Sequence, residues 1–497
     1  MHSFNRNLYN VFALGVVFLL IFTAFQTTSI LQVTALKNAF NSSQNSSPSM
    51  IHLEQNLGYY TLCIIYGMLA ISNWLAPSII VLLGNRLTMI ISASLYTIYI
   101  ATIIYPIVWT ILIASFFIGL GAGTLWTAQG AYLCENSNEN TSGRNSGIFW
   151  ALLQASLFIG NIFVYLFLLF SSDGNNEAYT LSTTQNRVIF AVLTVFCALG
   201  TLSVLTLTKP VSNKDYVIVV NRFGRDSVHD VEANEKPMRN DVLLQMGLAF
   251  VRAIKLLCTK EIMFFCLLFA YTGLELNFFS GVYGSCIGNV KLDSFGVRYV
   301  GLNGAFIGIG EVLGGLSFMI IGHYFKGKAR AFIVLFGYIV HMVTFYMIYL
   351  NLPNRSPSTD INIPHSELQK GAIGLHSNIY VALFDSFLLG LGDSCFNTQI
   401  YAFITSVYVG DTSAPAIAIY KFFQSISAMI AFFYNPLLNL NWQLLILVVS
   451  GTIGTLGYMV TEFFESRRKK VTNTQRGADS DDPNFSSIKQ SDLADSD

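Results

Sequence analysis

The chain has 497 residues, of which 53% are hydrophobic and only 11% are charged, whereas soluble domains carry about 25% charged residues. This composition excludes a water-soluble globular protein and is typical of a chain whose solvent is largely lipid. The 28 basic residues balance the 28 acidic residues, so the net charge predicts no nucleic-acid partner.

Long apolar runs along the chain predict twelve transmembrane helices, six before a polar linker and six after it. The first run is too long for the core of a signal peptide, so we expect a retained helix. The fold class is therefore an all-α polytopic membrane protein that lies in a lipid bilayer. In chain order, the predicted helices span 11–36, 58–83, 87–105, 107–131, 147–170 and 188–208, then 261–284, 301–325, 329–350, 378–404, 415–435 and 442–464.

Two polar segments divide the sequence further. In the linker, apolar residues recur every three or four positions from Asp241, which predicts an amphipathic helix on the cytoplasmic face. The C-terminal tail begins with a basic cluster and then turns acidic and serine-rich, which is typical of disorder. The sequence thus predicts an N-terminal six-helix bundle over 1–208, a linker over 209–260, a C-terminal six-helix bundle over 261–464 and a disordered tail over 465–497.

The basic residues predict the orientation in the membrane. Segments on the side of the N-terminus hold nineteen Lys and Arg residues, and the loops on the other side hold six. Because such residues near helix ends stay in the cytosol, we expect both termini to be cytosolic. Glycosylation motifs at Asn41, Asn45 and Asn354 fall in the predicted outer loops and should be modified. The matches at Asn140 and Asn484 fall on the inner side and should stay bare.

Weak internal repeats favour a duplicated bundle. A shift of 271 residues sets Gly119 against Gly390, and a shift of 270 sets Gln154 against Gln424. These alignments keep the helix order, as a parallel duplication does, although glycine-rich helices also align by accident. We expect two halves that enclose a central cavity.

Ionisable residues within the spans are the main functional candidates, because each costs several kcal/mol in hydrocarbon unless it faces protein or water. Asp385 and Asp393 are eight residues apart, hence about 80° apart around a helix, and Lys421 could approach Asp393. A proton or cation relay is the functional interpretation, and buried ion pairs that fix helix packing are the alternative. The candidate ion-coupling residues, all in the second half, are Glu275, Glu311, Asp385, Asp393 and Lys421.

Amides within the spans are candidate substrate-binding residues, because a buried amide needs partners and offers both donors and acceptors to a solute. They are Gln26, Gln129, Gln154, Asn397 and Gln424. Aromatic residues can stack on an organic substrate, but in spans they more often pack against other helices. The aromatic candidates are Trp126, Phe149, Trp150 and Phe396.

Motifs of other function classes do not appear in the sequence. It contains no nucleotide-binding loop, no catalytic triad and no zinc motif, and its seven cysteines show no metal-ligand spacing. We therefore do not expect an ATP-driven pump or an enzyme, and we expect no cofactor and no metal site.

Several long motifs carry a family resemblance that extends from about residue 8 to residue 465. They include FTAFQT at 22–27, LWTAQG at 125–130, GRNSGIFWALLQ at 143–154, GIGEVLGG at 308–315 and LLGLGDSCFNTQ at 388–399. These motifs resemble the unc-ninety-three-like branch of the major facilitator superfamily. The resemblance implies the twelve-helix facilitator fold in two six-helix bundles. It implies no substrate, because relatives are described as regulatory subunits of potassium channels or as trafficking chaperones for Toll-like receptors.

The sequence departs from ordinary facilitators in two loops. After the second and eighth helices an acidic residue followed by Arg and Gly is usual, but here GNRL at 84–87 lacks the acid. The corresponding GHYFKGKAR at 322–330 replaces it with aromatic residues and lysines. This departure weakens the usual gating interaction.

Two hypotheses follow from these features. In the first, the protein is a secondary transporter in which Glu275 and Asp393 bind the coupling ion, while Gln26, Gln129 and Gln154 help to bind an unknown solute. In the second, the fold is a non-transporting partner that regulates the assembly or trafficking of another membrane protein. The buried acids favour the first hypothesis, and the altered loops and the resemblance favour the second.

Overall fold

In the computed structural model, the described residues form helices and their connections, with one isolated β-bridge between Lys370 and His376. The helices are α1 (His2–Phe40), α2 (Leu57–Thr102), α3 (Val108–Glu135), α4 (Ser142–Ser171), α5 (Thr183–Ser203), α6 (Lys260–Asn277), α7 (Gly284–Asn289), α8 (Arg298–Tyr324), α9 (Ala329–Asn351), α10 (Ile379–Val407), α11 (Ser413–Tyr434) and α12 (Leu440–Ser480). The structure describes residues 2–40, 53–137, 141–171, 181–209, 251, 253–292, 295–324, 329–358, 363–408 and 413–480.

The membrane spans differ from these helices in two places. Gly84 interrupts α2 with φ 76° and ψ 160°, a backbone conformation that glycine adopts without a steric penalty, so α2 holds two spans. A π-helical turn over Phe278–Tyr283 joins α6 to α7, so these elements form one span. Among the described residues, ten helices are long and apolar enough to cross a membrane. The part of α2 after Gly84 and the helix α8 bring the number of spans to twelve. The protein is an integral multi-pass membrane protein, and the predicted all-α class is confirmed.

The structure differs from the predicted tail at the C-terminus. The tail was expected to be disordered from residue 465, but α12 continues to Ser480. Hydropathy marks where the lipid ends but not where a helix ends, and no proline interrupts this segment. Of the predicted amphipathic helix, only residues 251 and 253–257 are described, and they are helical. The remaining linker, Asn41, Asn45, Asn140 and Asn484 lie outside the described residues, and the division into four domains stays a prediction.

Small residues on α8 bring it close to two neighbouring helices. We call α1–α5 the first half and α6–α12 the second half. Gly304 packs against Asn161 of α4, in the first half. Gly310 packs against the backbone of α10 at Phe387, and Gly314 packs against the side chain of Ser394. Glycine permits this approach because it has no Cβ, so α8 packs on α10 within the second half and on α4 of the first half.

Further contacts join the halves on the side of the membrane where α1 ends. Lys37 Nζ lies 3.2 Å from Asn289 Oδ1 and 3.4 Å from the carbonyl oxygen of Ser358. The Tyr59 hydroxyl donates to the carbonyl oxygen of Pro357 at 3.3 Å. Towards the middle of the membrane, the ring of Tyr66 stacks on that of Phe432 in the second half, with centroids 5.4 Å apart. These contacts close the structure on that side.

Candidate functional site

Glu275 is buried in the core of the second half, where α6, α9 and α10 meet. His341 Nε2 lies 3.1 Å from Glu275 Oε1, and both side chains have no exposed surface. The same ring nitrogen lies 3.2 Å from the carbonyl oxygen of Leu389, and His341 Nδ1 lies 2.6 Å from the Tyr271 hydroxyl. Neither carboxylate oxygen of Glu275 accepts a hydrogen bond within the described part of the chain. His341 is therefore the nearest polar neighbour of a carboxylate that is otherwise unsatisfied.

A hydrogen-bonded chain runs from Asp393 on α10 to Lys421 on α11. Asn397 Nδ2 donates to Asp393 Oδ1 at 2.7 Å, and the Tyr420 hydroxyl donates to Asn397 Oδ1. Gln424 Nε2 donates to the Tyr420 hydroxyl at 3.2 Å, and Lys421 Nζ donates to Gln424 Oε1 at 2.9 Å. We call these five residues the Asp393–Lys421 chain. It gathers two predicted ion-coupling residues and two predicted substrate-binding residues into one network.

The predicted approach of Lys421 to Asp393 is indirect. Within the described residues the two side chains form no direct ion pair; they interact electrostatically at longer range. The Lys421 ammonium instead lies over the ring of Tyr420, 4.6 Å from its centroid. Asn397, Tyr420 and Gln424 connect the two charged side chains through hydrogen bonds.

Glu311 connects the two halves. Its Oε2 accepts a hydrogen bond of 2.7 Å from Gln154 Nε2 on α4, so one predicted acid and one predicted amide meet across the interface. Glu275 interacts electrostatically with both Glu311 and Asp393. The three acids therefore form one cluster in the second half, which Glu311 connects to the first half, and we refer to Glu275, Glu311 and Asp393 as the acid cluster.

Three predicted residues lie apart from this cluster. Asp385 is fully buried in α10, and both of its carboxylate oxygens have no hydrogen-bond partner in the described structure. Gln26 accepts a hydrogen bond of 2.7 Å from Ser156 inside the first half. Gln129 is buried in α3. Their roles in ion coupling or solute binding stay predictions.

The four aromatic candidates fall into two groups. Phe149 and Phe396 have no exposed surface and pack within their own halves. Trp126 and Trp150 are partly exposed and stack on each other, with centroids 6.0 Å apart. Trp150 also lies 6.0 Å from the ring of Tyr401 in the second half. Of the four candidates, only Trp150 makes a ring contact with the other half in the described structure.

The sequence analysis missed three residues of this region, namely Tyr271, His341 and Tyr420. His341 is an ionisable residue near the middle of a predicted span, so the criterion that selected the acids also selects it. The tyrosines gave no comparable signal, because a tyrosine in a span is most often a packing residue.

Comparison with known proteins bears on both the fold and the family. A solved D-xylose-proton symporter has a TM-score of 0.61 at 12% identity, over 91% of this chain and 97% of that one. The fucose:proton symporter of E. coli has a TM-score of 0.55 at 12% identity, over 92% and 99%. At this identity the likeness shows the fold alone, which is the major facilitator fold.

Sequence relatives cover nearly the whole chain. The UNC93-like protein MFSD11 of Xenopus tropicalis is 39% identical over 470 residues, which make up 94% of this chain and 99% of that protein. The human protein unc-93 homolog A is 23% identical over 93% of this chain and 95% of its own. A family model described as "Ion channel regulatory protein UNC-93" matches residues 49–459. The chain belongs to the UNC-93 family.

Proposed function

We propose that this protein is an ion-coupled secondary transporter, not an enzyme, in which the two halves move about a central site. The acid cluster carries the proposal. A buried carboxylate costs several kcal/mol in a membrane unless a proton, a cation or a donor neutralises it. Neither oxygen of Glu275 accepts a hydrogen bond in the described structure, so Glu275 retains the capacity to take up an ion.

The position of the acids supports coupling between ion binding and movement of the halves. Glu311 is bound to Gln154 across the interface, and Glu275 interacts electrostatically with Glu311 and Asp393. Neutralising one acid therefore changes the balance of forces at the contact that the halves must break. Glu275 and Asp393 are the proposed ion-binding residues, and His341 lies beside Glu275.

Transport by the purified protein tests this proposal. We expect proteoliposomes with an imposed pH gradient to accumulate at least one solute from a mixture of cell metabolites, measured by mass spectrometry. Asp393→Asn keeps the shape and hydrogen-bonding capacity of the side chain but removes its charge, so it should abolish accumulation. The matched control is Glu367→Gln, because Glu367 is an exposed acid paired with Arg355 in a loop. Accumulation by D393N equal to that of the wild type would show that Asp393 is structural.

A second candidate function is regulation of another membrane protein without transport. The family model's description as an ion channel regulatory protein and the missing acid in the loop around Gly84 favour it. Affinity purification from native membrane distinguishes the two candidates. A stoichiometric membrane-protein partner, together with no accumulation of any solute in proteoliposomes, would support regulation.

A further inference from the structure

We infer that the interface formed by Trp126, Trp150, Tyr401, Tyr420 and Lys421 binds an organic anion that has a flat aromatic body. We call these five residues the aromatic–lysine site. The inference deepens the proposed function, on which it rests, by naming the chemical class of the solute.

The aromatic part of the site lies on both sides of the interface. Trp126 of α3 and Trp150 of α4 stack with an interplanar angle of 24°. Across the interface, Trp150 faces Tyr401 of α10. Trp150 is 39% exposed, so its ring has surface that the protein does not cover. A flat ring that stacks there would contact residues of both halves at once.

The charged part of the site adjoins the aromatic part. The Lys421 ammonium lies 5.6 Å from the centroid of Tyr401, the same ring that Trp150 contacts. An ammonium has three donors, and one of them is used by Gln424. Lys421 pairs with no acidic side chain among the described residues. A carboxylate on a ligand would supply that missing partner.

The charge of the site selects among ligand classes. A neutral ligand would gain only the ring contacts, and a cationic ligand would also meet repulsion from the lysine. An anion instead gains both the ion pair and the ring contacts. The acid cluster opposes an anion as long as its members are ionised, because like charges repel at short range.

Repulsion between the acid cluster and the anion gives a reason why binding of the anion would be coupled to binding of a proton. Asp393 interacts electrostatically with Lys421 and is connected to it by the Asp393–Lys421 chain. When a proton neutralises Asp393, the positive charge of Lys421 is no longer offset and can attract the ligand. One proton and one anion would then bind together without changing the net charge of the site.

Four small probes test the inference on the full-length protein in detergent. They are indole-3-acetate, its neutral analogue indole-3-acetamide, the cation tryptamine, and acetate, which lacks the ring. We expect isothermal titration calorimetry to show that indole-3-acetate binds about tenfold or more tightly than each of the other probes. A tenfold ratio of dissociation constants is what the loss of one modest contact produces. Equal binding of all four probes would overturn the inference.

Variants locate the binding. Lys421→Met and Trp150→Ala should each weaken indole-3-acetate binding about tenfold or more, whereas Lys421→Arg should largely retain it. The matched controls are Trp109→Ala, at a tryptophan that is 64% exposed on α3, and Lys370→Met, at an exposed loop lysine. Unchanged binding by K421M would overturn the inference. If K421M cannot be purified in folded form, the ranking of the four probes on wild-type protein still decides it.

Transport measurements separate this inference from the proposed function. Selective binding of indole-3-acetate without proton-driven uptake of any solute would leave the aromatic–lysine site standing and contradict transport. Proton-driven uptake of other solutes, without selective binding of indole-3-acetate, would support transport and contradict the site.

Discussion

His341 illustrates how one buried side chain organises three helices. From α9 it contacts the Tyr271 hydroxyl and Glu275 on α6 and the carbonyl oxygen of Leu389 on α10. With Nε2 donating to the carbonyl, Nδ1 is left to accept from the tyrosine, an arrangement that suits a neutral imidazole. Hydrogen bonds to α6 and α10 therefore hold the His341 ring beside Glu275.

The Asp393–Lys421 chain leads to a prediction about stability. Lys421→Met leaves Asp393 without its offsetting charge, and Asp393→Asn does the same to Lys421. We expect each single change to destabilise the protein, and the double variant to be more stable than the sum of both effects predicts. Residues in one hydrogen-bonded network have coupling energies of about 0.5 to 3 kcal/mol. Chemical unfolding of the four forms in detergent measures this energy.

A third variant shows how the coupling is transmitted. Tyr420→Phe removes the hydroxyl that donates to Asn397 and accepts from Gln424. Repeating the cycle in this background should give a smaller coupling energy. A value near zero in the wild-type background would mean that the two charges act independently, as separated members of a relay do.

At the level of single residues, the sequence identifies candidates but not their partners. Glu275, Glu311 and Asp393 stand out because an acid in a span is costly wherever it points. Which side chain meets it depends on the rotation and packing of helices that are distant in sequence. Spacing could not reveal that Gln154 contacts Glu311. Nor could it reveal that Tyr420 belongs to the Asp393–Lys421 chain.

At the level of elements, α8 packs closely on one helix from each half. Its contacts with α4 and α10 involve glycines, so a side chain at these positions would have to displace neighbouring atoms. Gly315, one residue after the last of them, has open space around the position of a Cβ. This helix therefore offers a matched pair of substitutions.

We predict opposite effects for two glycine-to-alanine changes in α8. In Gly310→Ala, the new Cβ would collide with the carbonyl oxygen of Phe387, and such overpacking costs typically about 1 to 3 kcal/mol. In Gly315→Ala, the Cβ meets nothing, and alanine favours a helix over glycine by roughly 0.5 to 1 kcal/mol. Thermal denaturation in detergent should rank G315A at or above the wild type and G310A below it. The reverse ranking would contradict the close packing of α8 on α10.

The limits of the elements follow the sequence only in part. Spans are predictable because hydropathy reports the solvent around each segment, and the predicted range 301–325 agrees closely with α8 (Arg298–Tyr324). The π-helical turn at Phe278–Tyr283 and the extension of α12 to Ser480 leave no comparable signal. Both features depend on how the backbone is hydrogen-bonded. Because many different side-chain patterns are compatible with the same backbone hydrogen bonds, the sequence does not reveal these features.

For the whole molecule, the contacts between the halves on the side where α1 ends are central. Lys37 and Tyr59 of the first half donate to backbone carbonyls of the loop after α9. In the proposed transport cycle, these bonds must break when that side opens. We propose that this is the outer side, with both termini in the cytosol.

Glycosylation tests that orientation. Glycosidase treatment should shift the wild-type band on a gel, and the shift should disappear when Asn41, Asn45 and Asn354 are all changed to Gln. Asn354 uses its Oδ1 to accept from the backbone of Asn441, a bond that does not involve Nδ2, the atom that carries a glycan. A glycan at Asn140 would reverse the predicted orientation.

The two acids of α10 also affect how the protein is made. Of the ten helices that are apolar enough to span a membrane, α10 is the least apolar, and each Asp near a helix centre costs about 2.5 to 3.5 kcal/mol at the translocon. Its neighbours α8 and α9 are synthesised first and supply close packing and His341. We therefore expect α10 to enter the bilayer efficiently only after them, which a glycan-tagged insertion assay of α10 alone against α8–α10 would reveal. Two buried acids in one span would thus impose an order on biogenesis.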